Sequence, residues 1–271
     1  MPELPEVETI VRSLRPALVG KTILTADLRW ARSLAEPAPA RFKKLITGQQ
    51  IEEISRRAKY IHIQLSDDNL LIHLRMSGDP LVVLGGYKPE KHDRLLIKLS
   101  DDETLIFSDP RKFGRVWLVK DPSTVFAHLG PEPLSGAFTP AWLFDALHAR
   151  RRQLKPLLLD QSFLAGLGNI YTDEALHKAK LHPQSVSNTI SETQAAALWQ
   201  AIREVLEEGI RNNGASIDWV YRGGDFQNHF RVYGRSGEAC PVCGTAVERI
   251  VVSQRGTHFC PTCQENPSKI V

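Results

Sequence analysis

A chain of 271 residues, 42% hydrophobic and 24% charged, is long enough for more than one buried core and has the composition of an ordinary globular protein. It has no apolar run of the ~18 residues a membrane span needs, and its start, MPELPEVE, is acidic and lacks the apolar core of a secretory signal, so the cytoplasm is the expected compartment. A net charge of +3 permits nucleic-acid binding without requiring it, as it would for many metabolic enzymes.

In chain order the first element is a helix. Val7, Ile10, Val11 and Leu14 share one face of a 3.6-residue period, Pro5 suits the first turn, Glu6 and Glu8 complement the macrodipole there, and Pro16 and Gly20 predict the end. From about residue 21 to 120 the pattern turns to short strands. Residues 60–65 alternate Ile61, Ile63 and Leu65 against His62 and Gln64, and further apolar runs cover 69–76, 94–99, 104–107 and 116–119. Turn-like clusters separate them, which predicts a sandwich or barrel. The Pro/Gly-rich stretch 128–134 reads as a linker, and helices are predicted over 140–150, 169–180 and 192–212. The last opens on a Ser191/Gln194 capping box and carries a stripe of Leu198, Ile202, Val205 and Leu206. The final segment becomes rich in glycine and cysteine. Three blocks follow: 1–131, 132–228 and 229–271.

All four cysteines lie at or beyond position 240, as Cys240-Pro-Val-Cys243 and Cys260-Pro-Thr-Cys263 with 16 residues between the pairs. At this spacing two tight turns present four thiolates to one tetrahedral Zn2+ ion. So small a module has too little core to fold unaided, so the metal would supply much of its folding free energy. A shell closed by four thiolates leaves no open position, which makes the ion structural. The competing readings are two disulfides or a redox CxxC; the chain shows neither a secretory start nor a thioredoxin-like βαβ pattern to support them. Residues 247–252 and 257–259 predict a hairpin with Gln254-Arg255-Gly256 at its tip.

Removal of Met1, which a small following residue ordinarily permits, would leave Pro2 with a free secondary amine. An α-amino group titrates near ~7.7–8, so a good share of it is neutral at physiological pH and able to attack an electrophilic carbon, forming an iminium. Glu3 stands beside it as a general acid. By itself the dipeptide is a weak signal, because most Met-Pro-Glu starts carry no chemistry.

Other motifs follow in order: Arg56-Arg57-Ala58-Lys59-Tyr60, His73-Leu-Arg-Met-Ser-Gly78, Lys91-His92-Asp93, Asp109-Pro-Arg-Lys-Phe-Gly114, Gly166-Leu-Gly-Asn-Ile-Tyr171 and Val232-Tyr-Gly-Arg235. With the opening PELPEVET and the four cysteines, they resemble the bacterial formamidopyrimidine-DNA glycosylase family from residue 2 to residue 264. The resemblance implies an α+β multidomain fold: an N-terminal β-sandwich with an N-terminal helix, a helix–two-turns–helix domain and a C-terminal zinc-finger β-hairpin, with double-stranded DNA in the cleft between. It implies a monomeric base-excision repair enzyme of the bacterial cytoplasm and nucleoid. Such an enzyme is a glycosylase and AP lyase, excising formamidopyrimidines and 8-oxoguanine and then carrying out β,δ-elimination.

Carried onto this sequence, the resemblance makes Pro2 the nucleophile at C1′ of the damaged nucleotide and Glu3 the proton donor as the sugar ring opens. Lys59 assists proton transfer, and Arg255 grips the phosphate of the flipped nucleotide and aids δ-elimination. A base inside a duplex hides its C1′, so the nucleotide must be extruded and the void filled. Met76, Arg111 and Phe113 match the residues that fill it, two wedges and one donor toward the orphaned cytosine. Asn169, at a helix start, and His92, Arg111, Arg150 and Lys155 match DNA-contacting positions. From the residues alone, core is the favoured reading for Met76 and Phe113, and a solvated face that for the Arg150–Arg152 run; Asp109-Pro110 places Arg111 and Phe113 on a turn, which weakens the core reading for Phe113. No chemistry is assigned to His73, His177 or His182.

Two departures stand out. The stretch 219–230, which corresponds to the family loop over the flipped 8-oxoguanine, is about four residues short, and a tail of residues 265–271 runs past the usual end. Three alternatives compete. An endonuclease VIII-type enzyme for oxidised pyrimidines ordinarily opens Pro-Glu-Gly rather than Pro-Glu-Leu. A non-catalytic lesion-binding relative would lack Pro2, Glu3 or Lys59. An unrelated zinc-ribbon protein would not share the order of motifs.

Overall fold

In the computed structural model, which describes residues 1–217, 221 and 223–265, the elements run α1 (Leu4–Leu18), β1 (Ile23–Leu28), β2 (Leu34–Glu36), α2 (Pro39–Ile46), β3 (Ile51–Arg57), β4 (Tyr60–Leu65), β5 (Asn69–His73), β6 (Asp79–Val83), β7 (Asp93–Leu99), β8 (Thr104–Ser108), β9 (Arg115–Val119), α3 (Ser123–Phe126), α4 (Pro140–His148), α5 (Leu154–Leu159), α6 (Asn169–Lys178), α7 (Glu192–Arg211), β10 (Glu248–Val252) and β11 (Arg255–Phe259). They form two units. One comprises Met1–Ala127 and the described residues of Ala215–Gly224; the other comprises His128–Gly214 and the described residues from Asp225 onward.

The first unit holds a four-stranded sheet in the order β1-β7-β8-β6 and a five-stranded sheet in the order β2-β9-β5-β4-β3, antiparallel except for the β2–β9 pair. Alternation along the strands puts Ile61, Ile63, Leu70, Ile72, Leu95, Ile97, Leu105 and Phe107 into one core shared by both sheets. Helix α1 adds Val7, Val11, Leu14 and Leu18 to the same core. It ends at Leu18, between Pro16 and Gly20, where its end was expected. Pro16 lies in the last turn, and the helix continues past it to bury Leu18 completely.

The strand expected over 69–76 stops at His73. His73 Nδ1 accepts the Arg75 N–H at 3.0 Å, Arg75 takes a left-handed φ of 55°, and the Gly78 N–H closes on Leu74 O at 2.9 Å. Met76 therefore sits on a turn. Strands β1, β2, β3 and β6 and helices α2, α3 and α5 are additional to the segments expected from the sequence.

In the second unit the apolar stripe of α7 packs against α4 and α6, and Tyr171 of α6 stacks on Phe226 at 5.1 Å between ring centroids. The β10–β11 hairpin packs on α6 within this second unit. Ala215 goes with the first unit because Glu6 Oε1 accepts its N–H at 2.8 Å. Val252 pairs with Arg255 across Ser253 and Gln254, whose φ values of 47° and 63° suit a two-residue hairpin turn. Arg255 is thus the first residue of β11, and the tip is Ser253-Gln254.

Replacing a helical glycine by alanine ordinarily stabilises by up to ~1 kcal/mol. At Gly209 the sign should reverse, because a Cβ would lie 2.5 Å from Tyr171 Cε1 and 2.7 Å from its Oη. Gly209→Ala is expected to cost about 1–3 kcal/mol by overpacking, read as a lower urea midpoint. Gly136→Ala, where a Cβ meets nothing within 4 Å, should leave the midpoint unchanged.

Candidate functional site

The chain start is held by its own helix. Pro2 is buried and Glu3 is only 2% exposed. The Glu3 N–H donates to Glu6 Oε2 at 2.7 Å while the other oxygen of Glu6 takes the Ala215 N–H. Lys59, 4% exposed, sits on the β3–β4 turn next to Ala58, whose φ is 52°. Arg56 braces that turn: its Nη1 donates to Ala58 O at 3.1 Å and its Nε to Glu8 Oε2 of α1 at 3.0 Å. Burial pushes the Glu8 carboxyl up, but Arg12 and Arg56 outweigh it and hold it below the usual range. The turn that carries Lys59 is thereby bonded to the helix that begins at the chain start.

His73 lies edge-on to Tyr60, with ring centroids 4.6 Å apart. Burial, helped by the charges of Arg75 and Lys59, lowers its pKa to about 3. The ring is therefore neutral, and since Nδ1 accepts the Arg75 N–H, Nε2 carries the proton. Sequence reasoning gave His73 no chemistry; its ring closes the turn that follows β5.

Two turns of this unit carry the expected DNA-facing residues. Met76 is 38% and Phe113 50% exposed, so neither is a core residue. Arg111 is exposed, with its guanidinium 5.2 Å from the Phe113 ring centroid. His92 is exposed on the strand approach beside them, its carbonyl accepting the Asp109 N–H at 2.9 Å.

In the second unit, Asn169 opens α6 after Gly168. Gln161 shapes the approach by accepting the Gly166 N–H and donating to Leu159 O and Leu167 O. Asn169 Nδ2 donates to Gly256 O at 3.0 Å, which brings the helix start against the first residues of β11 and exposed Arg255. Lys155 departs from expectation. It is 0% exposed, and its ammonium pairs with Asp173 Oδ1 at 2.6 Å and donates to Gly256 O at 3.0 Å. The ammonium is engaged within the protein, where it ties β11 to α5 and α6. Arg150 stays apart from this group, exposed, donating to Ala146 O and lying over Phe163.

Sequence reasoning missed two acids of α6. Asp173 Oδ2 accepts the His258 N–H at 2.9 Å. Glu174 accepts three successive N–H groups, of Arg231, Val232 and Tyr233, at 2.8–3.0 Å. Burial pushes the Glu174 carboxyl up and these three donors pull against it. The available signal was an adjacent acidic pair among apolar neighbours in mid-helix.

The four cysteine sulfurs lie within 4.8 Å of one another. Zn–S bonds of about 2.3 Å in a tetrahedron imply sulfur separations of roughly 3.8 Å; Cys240–Cys263 is 3.9 Å and Cys243–Cys260 3.4 Å. Burial, then the neighbouring thiols, pushes Cys263 up, so the set resists joint ionisation without a cation. Neutral His177, its pKa lowered to about 4 by burial and then by Arg231 and Arg235, approaches Cys240 Sγ with Nε2 at 3.4 Å, the outer support a metal thiolate uses. The residues fit one structural zinc ion held by Cys240, Cys243, Cys260 and Cys263.

Three family models match in succession: the formamidopyrimidine-DNA glycosylase N-terminal domain over residues 1–116, its H2TH domain over 129–220, and a zinc finger found in FPG and IleRS over 237–266. The chain belongs to the formamidopyrimidine-DNA glycosylase family. The formamidopyrimidine-DNA glycosylase of Chloroflexus aurantiacus is 47% identical, covering 97% of this chain and 98% of its own, and that of Herpetosiphon aurantiacus is 44% identical, covering 97% and 100%. A solved structure of MutM in complex with DNA containing carbocyclic 8-oxo-G matches with a TM-score of 0.91 at 39% identity, over 98% of this chain and 100% of that one. The Lactococcus lactis enzyme bound to DNA containing an AP site matches equally well, at 0.91 and 39%, over 97% and 100%. The α+β fold, with its β-sandwich, H2TH helices and zinc-finger hairpin, is that of the family, and these relatives favour it over the endonuclease VIII-type alternative. No helix among the described residues is long and apolar enough to cross a membrane.

Because Lys155 is a buried partner of Asp173, Lys155→Met should strand a buried carboxylate and cost about 3–5 kcal/mol, whereas the double variant Lys155→Met/Asp173→Asn, which removes the charge but keeps an oxygen for the His258 N–H, should recover much of the loss. Urea unfolding of the four combinations measures this. Equal destabilisation by the single and double variants would contradict the pairing.

Proposed function

We propose that this DNA glycosylase of base-excision repair removes oxidised purines, formamidopyrimidine and 8-oxoguanine lesions, through the amine of Pro2 freed by loss of Met1. The observation that carries the reading is the buried Pro2-Glu3 pair at the start of α1, anchored through Glu6 and bonded by Glu8 and Arg56 to the turn of Lys59. The Pro2 nitrogen attacks C1′ of the extruded nucleotide, the N-glycosyl bond breaks, and the base leaves with a proton. Glu3 protonates the ring oxygen as the sugar opens, which leaves an iminium between Pro2 and C1′. Lys59 serves these proton transfers. Loss of a C2′ proton expels the 3′ phosphate, and a second elimination, aided by Arg255, expels the 5′ phosphate and leaves a one-nucleotide gap.

Extrusion leaves a hole in the duplex. Met76 and Phe113 are suited to enter it as wedges, and Arg111 to donate to the orphaned cytosine. Asn169 with the first N–H groups of α6, His92, Arg150 and Arg255 hold the phosphates. The substrate class follows the lesions in the solved complexes of the relatives, and the place of work is chromosomal DNA in the bacterial cytoplasm. Residues 219, 220 and 222 of the shortened loop, and 266–271 of the tail, lie outside the described residues. Within the loop, Gly223 has a φ of +93° and the Gly224 N–H donates to Ser216 Oγ at 2.8 Å.

Borohydride trapping on a duplex with 8-oxoguanine opposite cytosine should give a covalent protein–DNA band that is lost in Pro2→Gly. Mass spectrometry showing Met1 still attached in active protein would overturn the chemistry. The shortened loop predicts that formamidopyrimidine is excised faster than 8-oxoguanine. Single-turnover rates on the two lesions compare them, and an undiminished rate on 8-oxoguanine counts against it.

A further inference from the structure

The exposed residues of the first unit's two DNA-facing turns share one buried anchor. Asp109 is 0% exposed. Its Oδ1 accepts the Ser77 hydroxyl, in a short hydrogen bond, and the Arg111 N–H at 3.2 Å; its Oδ2 accepts the Gly114 N–H at 2.7 Å. Its backbone is engaged as well: the N–H donates to His92 O at 2.9 Å and the carbonyl accepts from Arg94 Nε at 2.8 Å. Ser77 follows Met76 directly, and its Oγ also lies 3.3 Å from the Arg111 N–H. One carboxylate thus binds the turn of Met76 to the turn of Arg111 and Phe113, and its main chain reaches His92.

Packing points the same way. Both turns end on a glycine close against the Phe107 ring. A Cβ at Gly78 would come within 2.7 Å of Phe107 Cε2, and one at Gly114 would strike the same ring and lie 3.1 Å from Asp109 Oδ2. Between the anchor and the glycine, Lys112 holds a left-handed φ of 62° with its ammonium 4.1 Å from the Trp30 ring centroid. The outward side of each turn carries the exposed side chains. The inward side is fastened to Asp109 and Phe107.

We infer that Asp109 and Ser77, both buried, are positioning residues that set Met76, Arg111 and Phe113 as one rigid element and thereby fix which base is accepted opposite the lesion. The inference rests on the proposed reading of Arg111 as the donor to the orphaned base. A guanidinium discriminates between bases only when its donors meet the acceptors at fixed distance and angle, and a loosened backbone gives that up before it gives up charge. Loss of the anchor should therefore narrow the preference for one opposite base more than it weakens binding.

Asp109→Asn keeps the volume but replaces one acceptor oxygen by a donor, so the Ser77, Arg111 and Gly114 donors cannot all be met. Ser77→Ala removes only the bridge between the turns. The test compares single-turnover excision of 8-oxoguanine opposite cytosine and opposite adenine, taken as a ratio within each variant, so that a general loss of folded protein cancels. Amide exchange at Arg111 and Gly114 in the DNA-free protein is followed alongside. Asp109→Asn should narrow the cytosine-to-adenine ratio by about tenfold, the order of one misplaced base contact, and speed exchange at both amides; Ser77→Ala should do so less. If Asp109→Asn does not fold, Ser77→Ala decides by the same two measurements. A folded variant that keeps the wild-type ratio and the wild-type exchange overturns the inference, as does a uniform fall in rate with the ratio intact. Wild-type protein that neither excises nor is trapped by borohydride would sink the functional reading instead, and the exchange data would still report on the anchor.

Discussion

A chain terminus is ordinarily the loosest part of a protein, yet the proposed chemistry puts the nucleophile there, and the rest of the first unit is arranged around that constraint. Helix α1 begins at Leu4, two residues after the reactive position, and drives Leu4, Val7 and Val11 fully into the core. Burial of that stripe fixes where the helix lies but not the extended residues before it. Glu6 does that, turning back to take the Glu3 N–H and taking the Ala215 N–H with its other oxygen. The same carboxylate therefore ties the chain start to a segment more than two hundred residues away, beside the shortened loop.

The pattern recurs. A buried carboxylate loses its hydration at a cost of several kcal/mol unless donors replace the water, so it is a poor way to gain stability and a good way to specify a geometry. Asp109 collects donors from two turns, Glu174 collects three successive N–H groups of the segment leading to the zinc module, and Asp173 joins Lys155 to β11. Asp109 and Glu174 thereby hold stretches without regular structure, each acid's own position being set by a strand end or a helix. The zinc site does with a metal what these acids do with hydrogen bonds, where the core is too thin for packing to suffice.

What was legible in the sequence was local. The cysteine spacing announces a metal site because both halves of each ligand pair are three residues apart, and the α7 stripe and its Ser191/Gln194 cap reappear as read. The order of short motifs carried the family. The partners that define the site were hidden, since they are distant in sequence: Lys155 meets a carbonyl 101 residues on, and Glu174 meets amides 57 to 59 residues on. Lys155 was expected among the DNA contacts because it matches a basic position of the family; only the tertiary pairing with Asp173 shows it enclosed. The 69–76 run failed for a different reason. Its apolar pattern is real, but His73 caps the strand through the Arg75 N–H, and periodicity does not register a side chain that closes its own turn.

The exposed pair Met76 and Phe113 shows why carboxylate anchors were needed at all. Apolar side chains left in water gain nothing from packing, and a wedge for a base stack has to remain outside the core until DNA arrives. A turn that presents such residues outward has only its inner face to hold it, and that face is mostly backbone. Hydrophobic contact is non-directional and could let the turn slide over Phe107; hydrogen bonds to a fixed acid cannot slide without breaking. Glycines at 78 and 114 let the backbone come close enough to the ring and to Asp109 for those bonds to form. Stiffness on the inner face is what allows exposure on the outer one.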